Sequence, residues 1–404
     1  ARRNLIVIFI SNFVASTGMA GFLPAFPIIL PKLGIVDSSE VAIWTGVLVG
    51  AAPFSAAITG PLWGAFGDRY GRKMMVLRAL GGLSVFVGLM AFVSDPWILL
   101  ILRLAQGTFS GFIAPSLTLV SVHTPANRQG FVASVLQAAM LAGGAVGPPL
   151  GGWILDHGSP SYLFGIAAFA ALISMILVIF YTREEVKPAP VAVRVGPLRA
   201  TSRAWSDVKI TLANPLVWKL LAALFIIRFG VSSVEPLFAF YVESFKDTSA
   251  FVATYLGLAN GVIISATQYG NLLALPAWGR AGDKSGYKKL LILSAAGAGL
   301  FYLPQAFAPG LVSLFILRFF SGVFLAGIIP SAYGMMAEGT PVERRGSSYS
   351  LIFSATALAN SFGPVAGGLI VAQGISVQPL LIASAIPMLL AAFWIARWGR
   401  AEKL

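Results

Sequence analysis

Three motifs occur twice in this chain, in the same order and at almost one spacing. GPLWGAFGDRYGRK (Gly60–Lys73) returns as LPAWGRAGDKSGYKK (Leu275–Lys289), which sets Asp68 and Asp283 215 residues apart. RLAQGTFSGFIAPS at 103–116 returns as RFFSGVFLAGIIPS at 318–331, again at 215. GAVGPPLGGWI at 144–154 returns as SFGPVAGGLI at 361–370, with Pro148 and Pro364 216 apart. A long period of this kind is the signature of duplicated architecture. The fold must therefore be one plan used twice.

The solvent for that plan is lipid. Of 404 residues 57% are hydrophobic and only 11% charged, with a mean hydropathy of +0.84; an ordinary globular chain is about 25% charged. There is no cysteine, which excludes disulfides, thiolate catalysis and thiolate metal sites. The two histidines, His123 and His157, both fall in loops and offer little for a metal. Spans need about 20 apolar residues each. The sequence predicts them near 5–30, 42–66, 74–93, 97–121, 129–155, 161–181, 214–242, 251–279, 289–308, 311–337, 346–373 and 377–397. Arg2 and Arg3 lead a segment too long for a signal peptide, so it counts as the first span.

The loop after the second span, G-x-L-x-x-x-x-G-D-R-x-G-R-K, resembles the signature loop of the major facilitator superfamily of transporters. R-x-x-Q-G at Arg103–Gly107 and G-P-x-x-G-G at Gly147–Gly152 resemble the fourth- and fifth-helix motifs of its drug:proton antiporter branch. The resemblance implies an all-α membrane protein of twelve transmembrane helices in two pseudo-symmetric six-helix bundles. It also implies a secondary transporter, not an enzyme, that draws on the proton gradient without a cofactor. The expected division is a first bundle at 1–182, a linker at 183–213 carrying Pro188, Pro190 and Pro197 with a short surface helix near 199–210, and a second bundle at 214–404.

The net charge of +13 is spread through short loops and forms no groove, which argues against nucleic acid. With both termini cytoplasmic, the basic residues collect on that side and only Lys32 and Lys246 fall opposite; this asymmetry predicts orientation in a bacterial inner membrane. The expected partners are a small-molecule substrate, protons and membrane lipids, with the chain a monomer.

The motifs suggest moving parts. Gly18, Gly21, Pro24 and Pro27 in the first span, and Gly230 and Pro236 in the seventh, allow both to bend, although glycine and proline are common in membrane helices. In the signature loop Gly64, Gly67 and Gly71 permit a tight turn, while Asp68, Arg69, Arg72 and Lys73 supply charges; by resemblance this is a gate-side latch, and otherwise a topology anchor. Its copy at Asp283 is degraded. Gly147, Pro148, Gly151 and Gly152 should kink the fifth span and present a flat face, either for sealing the path or for plain helix packing.

Charges at membrane depth are the sharpest signal, because each costs at least about 2.5 kcal/mol unless paired or hydrated. Arg103 and Arg318 lie about 10 Å inside their spans and join the gating candidates, Arg228 lies near the midplane, and Glu235 is the one deep carboxylate. Two roles compete for Glu235. It can carry a proton, since burial favours the neutral carboxyl, or it can be the permanent partner of an arginine. Asp68 is the second protonation candidate. The arginines, Arg228 above all, would suit an anionic or zwitterionic group, so lipid-like or anionic substrates stand beside amphipathic drugs. Phe13, Phe22, Phe109, Gln137, Phe238, Tyr241, Gln268, Tyr333 and Asn360 complete the candidate lining.

Overall fold

A computed structural model describes residues 2–121, 124, 129–184, 214–338, 340 and 345–398. The predicted linker, with its surface helix, lies almost wholly outside the described residues. All regular structure among the described residues is helical. The first half comprises α1 (Arg2–Phe22), α2 (Ser38–Tyr70), α3 (Arg72–Met90), α4 (Pro96–Phe109), α5 (Ile113–Ser121), α6 (Gln129–His157) and α7 (Pro160–Tyr181). The second comprises α8 (Pro215–Val234), α9 (Leu256–Ser285), α10 (Tyr287–Tyr302), α11 (Leu311–Leu325), α12 (Ile328–Glu338), α13 (Arg345–Ala372) and α14 (Val377–Ala396).

Ten helical stretches among the described residues are long and apolar enough to cross a membrane. Two predicted spans differ from a simple apolar helix. The 97–121 segment is divided into α4 and α5 at Ser110–Phe112, where Gly111 turns with φ +94°. The 251–279 segment forms the 30-residue α9, whose hydropathy is diluted by Asn260, Ser265 and Thr267; all three are turned inward and buried.

Proline explains the breaks. A proline has no N–H and crowds the preceding turn, and the chain answers at Pro24 with a 3₁₀ turn (Leu23–Ala25) and at Pro236 with another (Glu235–Leu237). These two turns touch each other. By contrast Pro148 and Pro149 lie within α6, which stays helical from Gln129 to His157.

Buried apolar side chains fall into two clusters, one drawn from residues 8–178 and the other from 217–398. Between them, α6 is wedged between α1 and α9, and α13 between α8 and α2. Glycine makes this contact possible. A Cβ on Gly46 would stand 2.3 Å from the Pro364 carbonyl oxygen, and one on Gly261 2.2 Å from that of Pro148, the same contact in the two copies. Ile58, Phe92, Ile101, Phe169, Phe180, Leu273 and Val312 are exposed on the outside, a belt of large apolar side chains that water would not tolerate.

The start of α1 meets the end of α7 through Asn4, whose Nδ2 donates to the Arg183 carbonyl at 2.8 Å, and Lys288 donates to the Trp398 carbonyl. The end of the bundle carrying these contacts is called the terminal face below; the opposite end, where the two 3₁₀ turns meet, is the distal face.

Candidate functional site

The two most buried arginines are built into the halves. Arg103 on α4 is 1% exposed and donates from Nε to the Leu48 carbonyl (2.8 Å), from Nη2 to Val49 (3.4 Å) and from Nη1 to Gln106 Oε1, with the rings of Phe22 and Phe26 flanking it. Arg318 on α11 donates from Nε to the Ile263 carbonyl at 2.7 Å and lies 3.9 Å over the Phe238 ring. Leu48 and Ile263 are themselves 215 residues apart, so one tether is drawn twice. A helical carbonyl keeps a second lone pair after its backbone bond, and the guanidinium uses it to bind α4 to α2 and α11 to α9. Trp63 and Trp278 repeat the pattern nearer the terminal face, each donating from Nε1 at 2.6 Å, to Thr108 and to Val323. Arg78 stacks 3.9 Å over Trp63 and donates to the Ser110 carbonyl at 2.9 Å, pinning the break between α4 and α5.

Arg103→Ala should therefore act on the fold. It removes charge-assisted bonds and leaves Gln106 stranded in the interior, a loss of about 2–4 kcal/mol. Thermal unfolding in detergent should show it, and Arg103→Lys should recover only part, since an ammonium cannot reproduce the fork.

Glu235 opens the second 3₁₀ turn and is half-buried. Arg318 and the buried Tyr302 lie within its electrostatic reach, and Arg228 acts on the same tyrosine. No salt bridge to Glu235 forms among the described residues. Arg228, two turns back on α8, is half-buried and donates from Nη2 to Asn360 Oδ1 on α13 at 3.2 Å. Two 3₁₀ turns in contact, one bearing a carboxylate within reach of Arg318 and Tyr302, with Arg228 acting on the same tyrosine and held by Asn360, form the polar centre among the described residues.

The other candidates separate by environment. Gln268 on α9 crosses the interface, 3.6 Å from where a Cβ on Gly144 would stand. Phe13 is half-buried and Gln137 exposed. Phe22 and Phe238 are fully buried beneath the arginines, and Tyr241 is buried with its hydroxyl donating to the Gln305 carbonyl at 2.6 Å. Phe109 packs on Trp63 and Phe86, and Tyr333 meets Tyr349 edge-on at 5.0 Å. Tyr302 was missed by the sequence reading, as was Asn12, which is 1% exposed and accepts from Ser116 at 3.2 Å. A polar residue inside an apolar run was the available signal for Asn12.

At the signature loop Gly71 adopts φ +92° and α3 begins. Its first amides, Arg72 and Lys73, donate to the two carboxylate oxygens of Glu184 at 2.9 and 2.7 Å, while Lys73 Nζ donates to the carbonyls of Ile179 and Thr182. The described part of the loop is thus tied to the end of α7 in its own half. Gly64 and Gly67, expected in the turn, instead lie inside α2, which runs on to Tyr70, so of the three glycines only Gly71 turns the chain; the side chains of Asp68, Arg69 and Asp283 lie outside what the structure describes. Gly147 and Gly151 press on α1 at Thr17 and Gly21, and Gly152 presses on α9 at Gly257. One face of α6 serves its own half and another the opposite half.

A helical membrane protein made of two repeated halves around a sparse polar centre is the architecture of a transporter. The Major Facilitator Superfamily profile matches residues 8–267 and 248–403, and the chain belongs to that family. Among its relatives, the multi-drug resistance efflux pump PmrA homolog of Lactococcus lactis is 27% identical over 97% of this chain and 94% of its own length. The multidrug resistance protein MdtG of Dickeya zeae is 28% identical over 91% of this chain and 87% of its own. In fold, a crystal structure of a D-xylose-proton symporter superposes with a TM-score of 0.75 at 16% identity, covering 99% of this chain and 98% of the symporter. The protein is a multi-pass membrane transporter similar to multidrug efflux pumps.

Proposed function

We propose that this protein is a proton-coupled exporter of amphipathic small molecules that works by alternating access. In this reading twelve helices cross a bacterial inner membrane: the ten apolar stretches, the α4–α5 pair and α9. They form halves at 1–182 and 214–404 joined by the linker at 183–213, and both termini are cytoplasmic. Among the described residues, Arg3, Arg72, Lys73, Arg183, Lys288 and Arg397 fall at the terminal face, which in this reading lies beside the cytoplasm. The chain acts as a monomer, without a cofactor, on the energy of the proton gradient.

The observation that carries the proposal is Glu235: a half-buried carboxylate at a break in α8's span, where the two halves touch. A carboxylate there can exchange a proton with whichever face is open, and rocking of the halves changes that face. Substrate arriving from the cytoplasm or inner leaflet displaces the proton, and protons from outside reload the site. The test is transport in proteoliposomes with an imposed proton gradient. Amphipathic drug should move against its own gradient only while the proton gradient lasts. Drug flux that ignores the gradient would exclude coupling.

Arg228 favours a second reading of the cargo. It lies beside the neutral Asn360, so its guanidinium keeps donors for an anionic or zwitterionic group of a lipid-like or metabolite substrate. Arg228→Ala should weaken binding of compounds bearing a carboxylate or phosphate about tenfold or more and leave simple cations within about twofold, by titration of purified protein. Equal loss for both classes would remove Arg228 from head-group recognition.

A further inference from the structure

At the distal end of α6, Asp156 reaches out of its own half. Its Oδ1 accepts from the Gly257 amide at 2.7 Å and its Oδ2 from the Leu258 amide at 2.8 Å, two donors in the first turn of α9. The helices are in close contact here, since a Cβ on Gly152 would stand 1.9 Å from the Gly257 oxygen. The next residue, His157, stacks its ring on Tyr255 at 5.8 Å, and one turn into α9 Asn260 donates to the Pro24 carbonyl at 3.0 Å. The first turn of any helix leaves amides without intrahelical partners, and an anion placed on them gains from both hydrogen bonding and the helix dipole. In nearly every protein helix that cap is local; here it comes from the other half of the molecule.

The duplicated plan shows that this is not a by-product of packing. The matching interface, α13 against α2, has the same close glycine contact, with a Cβ on Gly368 at 2.4 Å from the Ala42 oxygen. Yet the position 216 after Asp156 is Ala372, and α2 is capped from within its own half by Asp37, whose Oδ2 accepts from the Glu40 amide at 3.0 Å. Among the described residues, both interfaces therefore share the close glycine contact, and the α6–α9 interface adds a charged cap. Asp156 is half-buried at the rim, so carboxylate and amides alike can pass to water when the ends separate. The Arg103 tether, sealed in a core, lacks that property.

We propose that Asp156 is a residue of the transport cycle: an inter-half helix cap that holds the distal ends together and is broken each time the site opens to that side. The inference rests on the alternating-access reading above. The chain has no cysteine, so Ala25→Cys, in the buried turn beside Pro24, supplies one reporter thiol for a membrane-impermeant maleimide on the full-length reconstituted protein. Adding Asp156→Asn should raise its labelling rate about tenfold, the worth of a charge-assisted cap. Leu258→Pro removes one donor, leaves the carboxylate intact and is tolerated in a first turn; it should act in the same direction, and it decides the matter if Asp156→Asn does not fold. Asp37→Asn should change nothing. Labelling at the parental rate in both Asp156→Asn and Leu258→Pro overturns the cap. If instead no substrate or proton gradient alters labelling in the parental protein, it is alternating access that fails.

Discussion

Glu235→Gln should bind substrate and fail to pump it. Glutamine has the shape of the protonated acid and cannot release a proton, so the neutral half of the cycle survives and the exchange does not. The size of the loss follows from the driving force. One charge moving through 100 mV is worth about 2.3 kcal/mol, enough to sustain a concentration ratio of about fiftyfold. In the variant that ratio should collapse to one. Proton release on adding ligand to purified protein should vanish, and ligand affinity should fall, because a ligand that displaces a proton binds the deprotonated carboxylate better than the neutral form that glutamine copies. Arg318 will then face a neutral amide at a place where it now feels a charge. Its Nε bond to Ile263 does not involve Glu235, so the half should hold its shape. Unchanged proton release in Glu235→Gln would remove Glu235 as the carrier and move attention to Asp68.

The amino-acid sequence carried the outline of this molecule because its strongest signals are one-dimensional. Three motifs at spacings of 215 and 216 disclose the doubling, and long apolar runs disclose lipid. The polar centre was legible in part for the same reason: a glutamate and an arginine stand out in an apolar run. What could not be read was everything whose partner is a backbone atom. Arg103 and Arg318 looked like gating charges, yet their partners include the carbonyls of Leu48 and Ile263, which have no side-chain signature. Nothing in the sequence singles out Asp156 or Glu184, yet each caps a helix about 100 residues away. Aromatic residues were ambiguous for another reason. A phenylalanine in a membrane helix suits lipid, core and cavity equally, and Phe22 and Phe238 proved to be core. Even the symmetry has a slip: Pro24 and Pro236, which mark the paired 3₁₀ turns, are 212 apart where the other pairs keep 215 or 216.

The repeated glycines allow the fold and the motion to be damaged separately. Gly107 on α4 and Gly322 on α11 each face a helix of their own half: an added Cβ would lie 2.2 Å from the Ala52 oxygen and 2.1 Å from the Thr267 oxygen. Neither obstacle is a side chain that can rotate away. Because the α2–α4 and α9–α11 contacts sit within the half-cores that the arginines also tie, the halves cannot part to relieve the clash. Gly107→Ala and Gly322→Ala should each cost more than about 3 kcal/mol, at or above the upper range for overpacking in a core. Both variants should accumulate poorly and melt at least about 10 °C lower in detergent, whichever state the transporter occupies. Gly152 meets an equally hard obstacle, the Gly257 carbonyl at 1.9 Å, but across the interface between halves. There the molecule has an escape: it can leave the distal ends apart. Gly152→Ala should therefore accumulate and melt within a few degrees of the parental protein while losing export by more than tenfold, because a cycle that cannot close one side cannot return. If Gly152→Ala instead unfolds like Gly322→Ala, the α6–α9 contact is part of a rigid core and the halves do not separate there. If it exports normally, that interface never closes as tightly during turnover as it does in this structure.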